Sequence, residues 1–287
     1  MKRALVLGGG GAVGVAWETG IAAGLADAGI DVRDSDVFIG TSAGSVVGTH
    51  LAWQRDPGEL LAEVTAPRPQ GDGSPMPREQ ADVVAVFQLW SSFEAMSPEA
   101  CARVGALAMR ARTVPQEEWL AGFARNGWPG WPERDLRICA VDCESGERRV
   151  FTRADGVSIS QAVAASCAVP GLFPTVELGG RHYTDGGVWS WTSADLALDL
   201  GGGRVLIVAP AGHDGPGVRG LAARQLRAEE RRLLDAGLQA HVVVFDEAAQ
   251  QAGANLMDQA ATPAAADAGR AHGRRLADEI RSWWEGR

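Results

Sequence analysis

The chain has 287 residues, is 46% hydrophobic, and carries a net charge of −9 with a sequence pI near 5.1. That length and apolar share suit one large α/β domain with a real core. The acidic balance favours solubility and speaks against a nucleic-acid partner, which would select a basic face.

Residues 3–7 read as a short buried strand that runs into Gly8-Gly9-Gly10-Gly11, and residues 15–28 as a helix stopped by Gly29. Residues 36–39 form a second apolar strand, and residues 43–53 a second helix. A repeated strand, glycine turn and helix predicts a parallel sheet covered by helices. Residues 56–77 are rich in Pro, Gly and Asp, which reads as an exposed loop, and residues 83–112 as helix broken at Ser97-Pro98. This stretch, 56–118, is either a cap or lid over a site or a surface insertion without a role. Residues 136–143 and 148–152 read as strands of a hairpin, and residues 160–166 as a short helix. Two buried strands follow at 204–209 and 241–245, with an Arg- and Glu-rich helix at 218–236 between them. A closing helix is expected at 263–284. We see no repeat and no domain boundary, so residues 1–287 read as a single domain.

The apolar run after Met1-Lys2-Arg3 is too short for a secretion signal, and no stretch of about 18 apolar residues could span a membrane. The four cysteines, Cys101, Cys139, Cys143 and Cys167, lack disulfide or metal spacing. These features together predict a cytoplasmic protein with reduced thiols. No His/Asp/Glu grouping has metal-ligand spacing, and no cofactor is implied. Ten tryptophans against one tyrosine mean either core and turn packing or an amphipathic rim for lipid.

Three motifs carry chemistry. Gly40-Thr41-Ser42-Ala43-Gly44 follows a strand and opens a helix, so a sharp turn would expose the Ser42 hydroxyl above the sheet. The bland alternative is a helix-capping serine. The loop at residues 9–14, with Gly9, Gly10, Gly11, Ala12, Val13 and Gly14, fits two uses. One is a dinucleotide loop, which would make the chain an oxidoreductase; the other is a set of backbone amides aimed at an oxyanion. The acidic residue a dinucleotide loop wants about 20 positions on is missing, which favours the oxyanion. Asp185-Gly186-Gly187 could present a carboxylate at a tight turn, or be a plain Asp-Gly turn.

In this order the three motifs resemble those of the patatin-like phospholipases. Gly9-Gly10-Gly11-Ala12-Val13-Gly14 is similar to that family's oxyanion loop, and Gly40-Thr41-Ser42-Ala43-Gly44-Ser45 to its nucleophile elbow. The segments Ala164-Ala165-Ser166-Cys167-Ala168-Val169-Pro170-Gly171-Leu172-Phe173-Pro174 and Tyr183-Thr184-Asp185-Gly186-Gly187-Val188 resemble the approach to its aspartate and the aspartate motif itself. The resemblance covers residues 4–55 and 136–210. It implies a three-layer α/β/α fold with a mainly parallel sheet, a Ser42–Asp185 dyad, an acyl-enzyme intermediate, and lipid or other acyl esters as substrates with peripheral contact to lipid surfaces. The chain departs from the pattern at Val13, where the family usually carries a basic residue. A conventional triad stays open, with His213, His241 or His272 as the base.

Overall fold

The computed structural model describes residues 1–66 and 80–286. In chain order the elements are β1 (Arg3–Leu7), α1 (Gly11–Asp27), β2 (Val37–Thr41), α2 (Ala43–Ala52), α3 (Pro57–Thr65), α4 (Gln80–Ser91), α5 (Pro98–Ala108) and α6 (Gln116–Ala124). They continue with β3 (Asp135–Asp142), β4 (Arg148–Phe151), α7 (Ile159–Ser166), β5 (Val176–Leu178), β6 (Arg181–Asp185), β7 (Arg204–Ala209), α8 (Val218–Asp235), β8 (Gln239–Val244), α9 (Glu247–Ala252) and α10 (Thr262–Glu285).

Among the described residues one 8-stranded sheet runs in the order β5-β6-β3-β2-β1-β7-β8, with β4 also paired to β3. The pairs among β3, β2, β1, β7 and β8 are parallel, while β4, β5 and β6 pair antiparallel. The period-2 alternation of the strands sorts their side chains onto two faces. Leu5, Leu7, Phe38, Leu206 and Val208 pack into the core under α1, α2 and α10. Ala4, Val6, Val37, Ile39, Val205 and Ile207 pack on the other face, against Leu226 and Leu233 of α8. This is the expected mixed α/β architecture, with a mostly parallel sheet between helical layers.

Several local expectations needed correction. Residues 57–65, expected in a loop, form α3. Asp56 caps it by accepting from the Gly58 and Glu59 amides at 2.9 and 3.1 Å, and Pro57 sits in the first turn, where its missing N–H costs nothing. Leu60 and Leu61 bury in the main core. Residues 67–77, the rest of that expected loop, lie outside the described residues. Helix α1 begins at Gly11, four residues earlier than its apolar pattern suggested, so Gly11 and Gly14 fall in its first turn. The hairpin β5–β6 and helix α6 had no clear signal. Of the ten tryptophans, Trp17, Trp90, Trp119 and Trp284 are buried, and the others are half-buried. Some of the indoles are tied down, as in Trp53 Nε1 to the Gly130 carbonyl and Trp131 Nε1 to that of Val157, while Nε1 of Trp17, Trp90, Trp191 and Trp284 is buried without a partner among the described residues. Among the described residues no helix is long and apolar enough to cross a membrane.

Candidate active site

The C-terminal ends of β1, β2 and β6 deliver the glycine loop, Ser42 and Asp185 to one cavity of about 420 Å³. Its walls are largely apolar: Phe87 and Trp90 from α4, Val169 and Leu172 from the turn after α7, Trp191, and Leu256 and Met257.

Ser42 stands between β2 and α2 with φ 52° and ψ −117°. A non-glycine residue held there stores strain, and such strain is typical of a serine at a sharp strand-to-helix turn. Its hydroxyl caps nothing in α2, which removes the helix-cap reading. The turn is that tight because Gly44 lies against Leu7; a Cβ at Gly44 would collide with the Leu7 carbonyl. Sequence reading missed the group that holds the elbow from behind. The Ser42 amide donates to Ser166 Oγ at 2.9 Å, and Ser166 Oγ donates to the Cys139 carbonyl at 2.6 Å. Ser45 Oγ and Cys167 Sγ both donate to the Ser42 carbonyl, at 2.6 and 3.2 Å.

Asp185 ends β6, where its position opposite Ala140 on β3 fixes its depth. It is 4% exposed. Oδ1 accepts the Gly187 amide at 2.7 Å, whereas Oδ2 is buried without a hydrogen-bond partner of ordinary geometry. Desolvation pushes its pKa up to about 7, against the smaller opposing pull of the Ser42 hydroxyl and the Gly187 amide. Ser42 is thus near enough to favour the charged carboxylate, although no regular hydrogen bond joins the two side chains. Gly186 packs against the Cys139 backbone, closing the turn under the acid.

The glycine loop divides its amides. Gly9 N–H donates to the Trp191 carbonyl at 2.8 Å, and Val13 N–H donates to the Leu256 carbonyl at 3.0 Å. The amides of Gly10, Gly11 and Ala12 have no partner among the described residues and lie at the N-terminus of the 17-residue helix α1, the positive end of its dipole. Gly11 has φ +58°, and a Cβ there would meet the Leu256 carbonyl at 2.5 Å, so both backbone and neighbour demand glycine. Val13 is fully buried in the main core and does not line the cavity.

None of the five histidines lines this cavity. His50 accepts from Trp128 Nε1, and burial lowers its pKa to about 4. His182 pairs with Glu144 at the surface, His213 stacks on Phe245, His241 packs on Trp283, and His272 sits between Trp17 and Asp246. Among the described residues no group of three or more His, Cys, Asp or Glu is arranged to hold a metal ion. The four cysteines are free thiols. Trp119 stacks on Phe173 at 4.2 Å with its Nε1 on the Ala164 carbonyl.

An uncapped serine at a strained elbow, a desolvated carboxylate and free helix-end amides in an apolar cavity form a constellation suited to acyl transfer. The family model described as Patatin-like phospholipase matches residues 5–198, and the chain belongs to that family. That membership supports lipid acyl hydrolysis as its class of chemistry and leaves the oxidoreductase reading of the glycine loop without support. Among solved structures the chain is similar to VipD from Legionella pneumophila, with a TM-score of 0.44, 13% identity, and coverage of 97% of this chain and 67% of that one. It is also similar to the type III effector protein ExoU, with a TM-score of 0.42, 15% identity, and coverage of 96% and 53%. The chain thus spans about half the length of the second of these proteins.

Proposed function

We propose that the protein hydrolyses acyl esters of lipids through a Ser42–Asp185 dyad and an acyl-enzyme. The observation that carries this reading is the pairing of Ser42, strained and with its hydroxyl uncommitted, with a buried Asp185 whose Oδ2 lacks a partner. Asp185 Oδ2 takes the proton as Ser42 Oγ attacks the ester carbonyl. The carbonyl oxygen becomes an oxyanion, held by the amides of Gly10, Gly11 and Ala12 at the head of α1. Collapse expels the alcohol, which receives the proton from Asp185, and leaves the acyl group on Ser42. Water, deprotonated by the same carboxylate, then attacks the acyl-enzyme; the acid is freed and Ser42 Oγ recovers the proton from Asp185. The Gly9 amide stays on Trp191 and serves to lock the glycine loop to the aspartate loop.

An ordinary carboxylate is a poor base for a hydroxyl. Burial that raises Asp185 toward neutrality makes proton transfer easier while leaving it ionised at mildly alkaline pH. The absence of histidine from the cavity lining supports a dyad over a triad. The apolar walls supplied by α4 and the turn at residues 169–172 suit an acyl chain, and α4 is the part of the expected 56–118 lid that this role fits. Fluorophosphonate labelling with peptide mapping tests the reading. The adduct is expected on Ser42 and is expected to be lost in Ser42→Ala; labelling of another serine in an active preparation would refute it.

A further inference from the structure

Residues 189–194, which follow the aspartate turn, alternate between two environments. Trp191 lines the cavity. Its carbonyl takes the Gly9 amide at 2.8 Å, and its ring packs against Gly9 and Gly187, where an added Cβ would stand 3.3 and 3.9 Å from it. Ser190 and Thr192, on either side, donate instead to Glu229 of α8 at 2.6 and 2.5 Å, and the Ala194 amide donates to the same carboxyl at 2.9 Å. One helical turn earlier on α8, Gln225 Nε2 donates to the Trp189 carbonyl at 2.6 Å, so a single face of the helix grips the whole segment. Ser190 Oγ in turn accepts the Thr192 and Ser193 amides at 3.3 and 3.0 Å. Ser193 has φ +50°, a conformation that a non-glycine residue keeps only where its surroundings impose it. Glu229 is 6% exposed and does not line the catalytic cavity. Burying a carboxyl costs stability that an apolar residue would not, and what this one secures is the backbone that carries Trp191.

We propose that Glu229 is a positioning residue for acyl transfer: by pinning Ser190, Thr192 and Ala194 it fixes Trp191, which sets the glycine loop, through Gly9, in its place relative to Asp185. Glu229 touches neither the substrate nor the reacting atoms. The proposal rests on the reading of Ser42 as the nucleophile and of the glycine loop as the oxyanion hole. A carboxylate suits the task because it only accepts hydrogen bonds. Gln at this position would turn one acceptor oxygen into a donor. Facing Ala194, its NH₂ group meets another amide donor; facing Ser190, it meets a hydroxyl that already accepts two amides. Either orientation leaves a donor unmatched, so the segment is released although the size of the side chain is kept. Reacting geometry tolerates little displacement, since a shift of about 1 Å can cost ~10²-fold in rate.

Two measurements on Glu229→Gln test this. The first is amide hydrogen exchange, read by NMR in a Ser42→Ala background, so that it does not depend on the chemistry. The Gly9 amide is expected to exchange about tenfold faster than in Ser42→Ala alone, while the Val13 amide, held by the Leu256 carbonyl at the other side of the glycine loop, keeps its rate. The second is the rate at which a fluorophosphonate labels Ser42. It is expected to fall about 10- to 100-fold, less than for outright loss of an oxyanion donor, because the donors are displaced and not removed. Ile280→Ala opens the core where α10 meets the C-terminal end of α1. It is expected to melt lower than the parent chain and to label at the parent rate, which separates positioning from loss of stability. Should Glu229→Gln not fold, Ser190→Ala and Thr192→Val each remove one clamping hydroxyl and are expected to act in the same direction. Unchanged exchange at Gly9, faster exchange at Gly9 and Val13 alike, labelling at the parent rate, or equal slowing in Ile280→Ala would each overturn the proposal. Absence of labelling in the parent chain would sink the Ser42 assignment instead, and exchange at Gly9 would still decide whether Glu229 sets the glycine loop.

Discussion

Replacing Asp185 by Asn should inactivate the protein and stabilise it, and the second effect should depend on pH. The carboxyl has a pKa of about 7 in the fold against 3.8 for an unburied group, a difference of about three units. Each unit corresponds to about 1.36 kcal/mol, so keeping the ionised carboxylate buried costs the native state on the order of 4 kcal/mol. The sign follows from proton binding. Between pH 3.8 and about 7 the folded protein holds a proton that the unfolded chain has released, so Asp185 lowers stability progressively as pH rises through that window. Below the window both states are neutral and the penalty is absent; above it the penalty is complete. Asn keeps an oxygen for the Gly187 amide and carries no charge. At pH 8 Asp185→Asn should therefore melt higher, by about 5–15 °C for a chain of this size, while at pH 4 the two proteins should melt together. Thermal melts from pH 4 to 9 read this directly, and turnover of a p-nitrophenyl ester reads the loss of the base. In the parent chain kcat/KM should rise through about pH 7 as Asp185 ionises. A difference in melting temperature that does not vary with pH, or turnover that survives in Asp185→Asn, would refute the argument that burial tunes this carboxylate for catalysis.

Four further outcomes follow from the geometry. Ser166→Ala removes both the acceptor for the Ser42 amide and the donor to Cys139, so kcat should fall about tenfold with a stability loss of about 1–3 kcal/mol, read by steady-state kinetics and denaturant melts. Gly11→Ala forces a Cβ into the Leu256 carbonyl at a positive φ and should destabilise by about 1–3 kcal/mol while lowering kcat; an unchanged kcat would remove the glycine loop from the chemistry. Trp90→Ala, which opens the buried end of the cavity wall, should shift the preferred acyl chain to greater length across a series of p-nitrophenyl esters. His50, His182, His213, His241 and His272, each replaced by Gln, should retain most turnover; one as inactive as Ser42→Ala would install a catalytic histidine.

The parallel sheet and its helices could be read from the sequence because short apolar runs ended by glycine have few other uses, whereas the register of β1, β2 and β7 could not, since these runs are apolar on both faces and carry no alternation. The elbow at Ser42 could be read because the glycines around it leave little else for the segment to do. Other parts depended on contacts between distant segments, which local patterns do not encode. Nothing near Ser166 announces that its hydroxyl will bond a residue 124 positions away. The unusable Gly9 amide is set by a carbonyl at Trp191. Helix α3 was hidden because Pro57 and Gly58, read as loop residues, occupy a first turn where both are tolerated. The buried Glu18 on α1 had no signal at all: it lies wholly inside the core, and burial raises its pKa well above the usual carboxylate range, with only the Gly8 amide pulling it back.

The family match ends at residue 198, yet Val218, Arg219 and residues 254–257 form one wall of the cavity. What docks that wall onto the glycine loop is a bond from the Val13 amide to the Leu256 carbonyl, backbone to backbone. Such an anchor does not use the side chains of residues 254–257, although it needs Gly11 to leave room for the Leu256 carbonyl. For protein engineering the loop is therefore an exchangeable cassette. Its side chains can be varied to retune which esters are accepted, while the groups that surround Ser42 and Asp185 are left as they are.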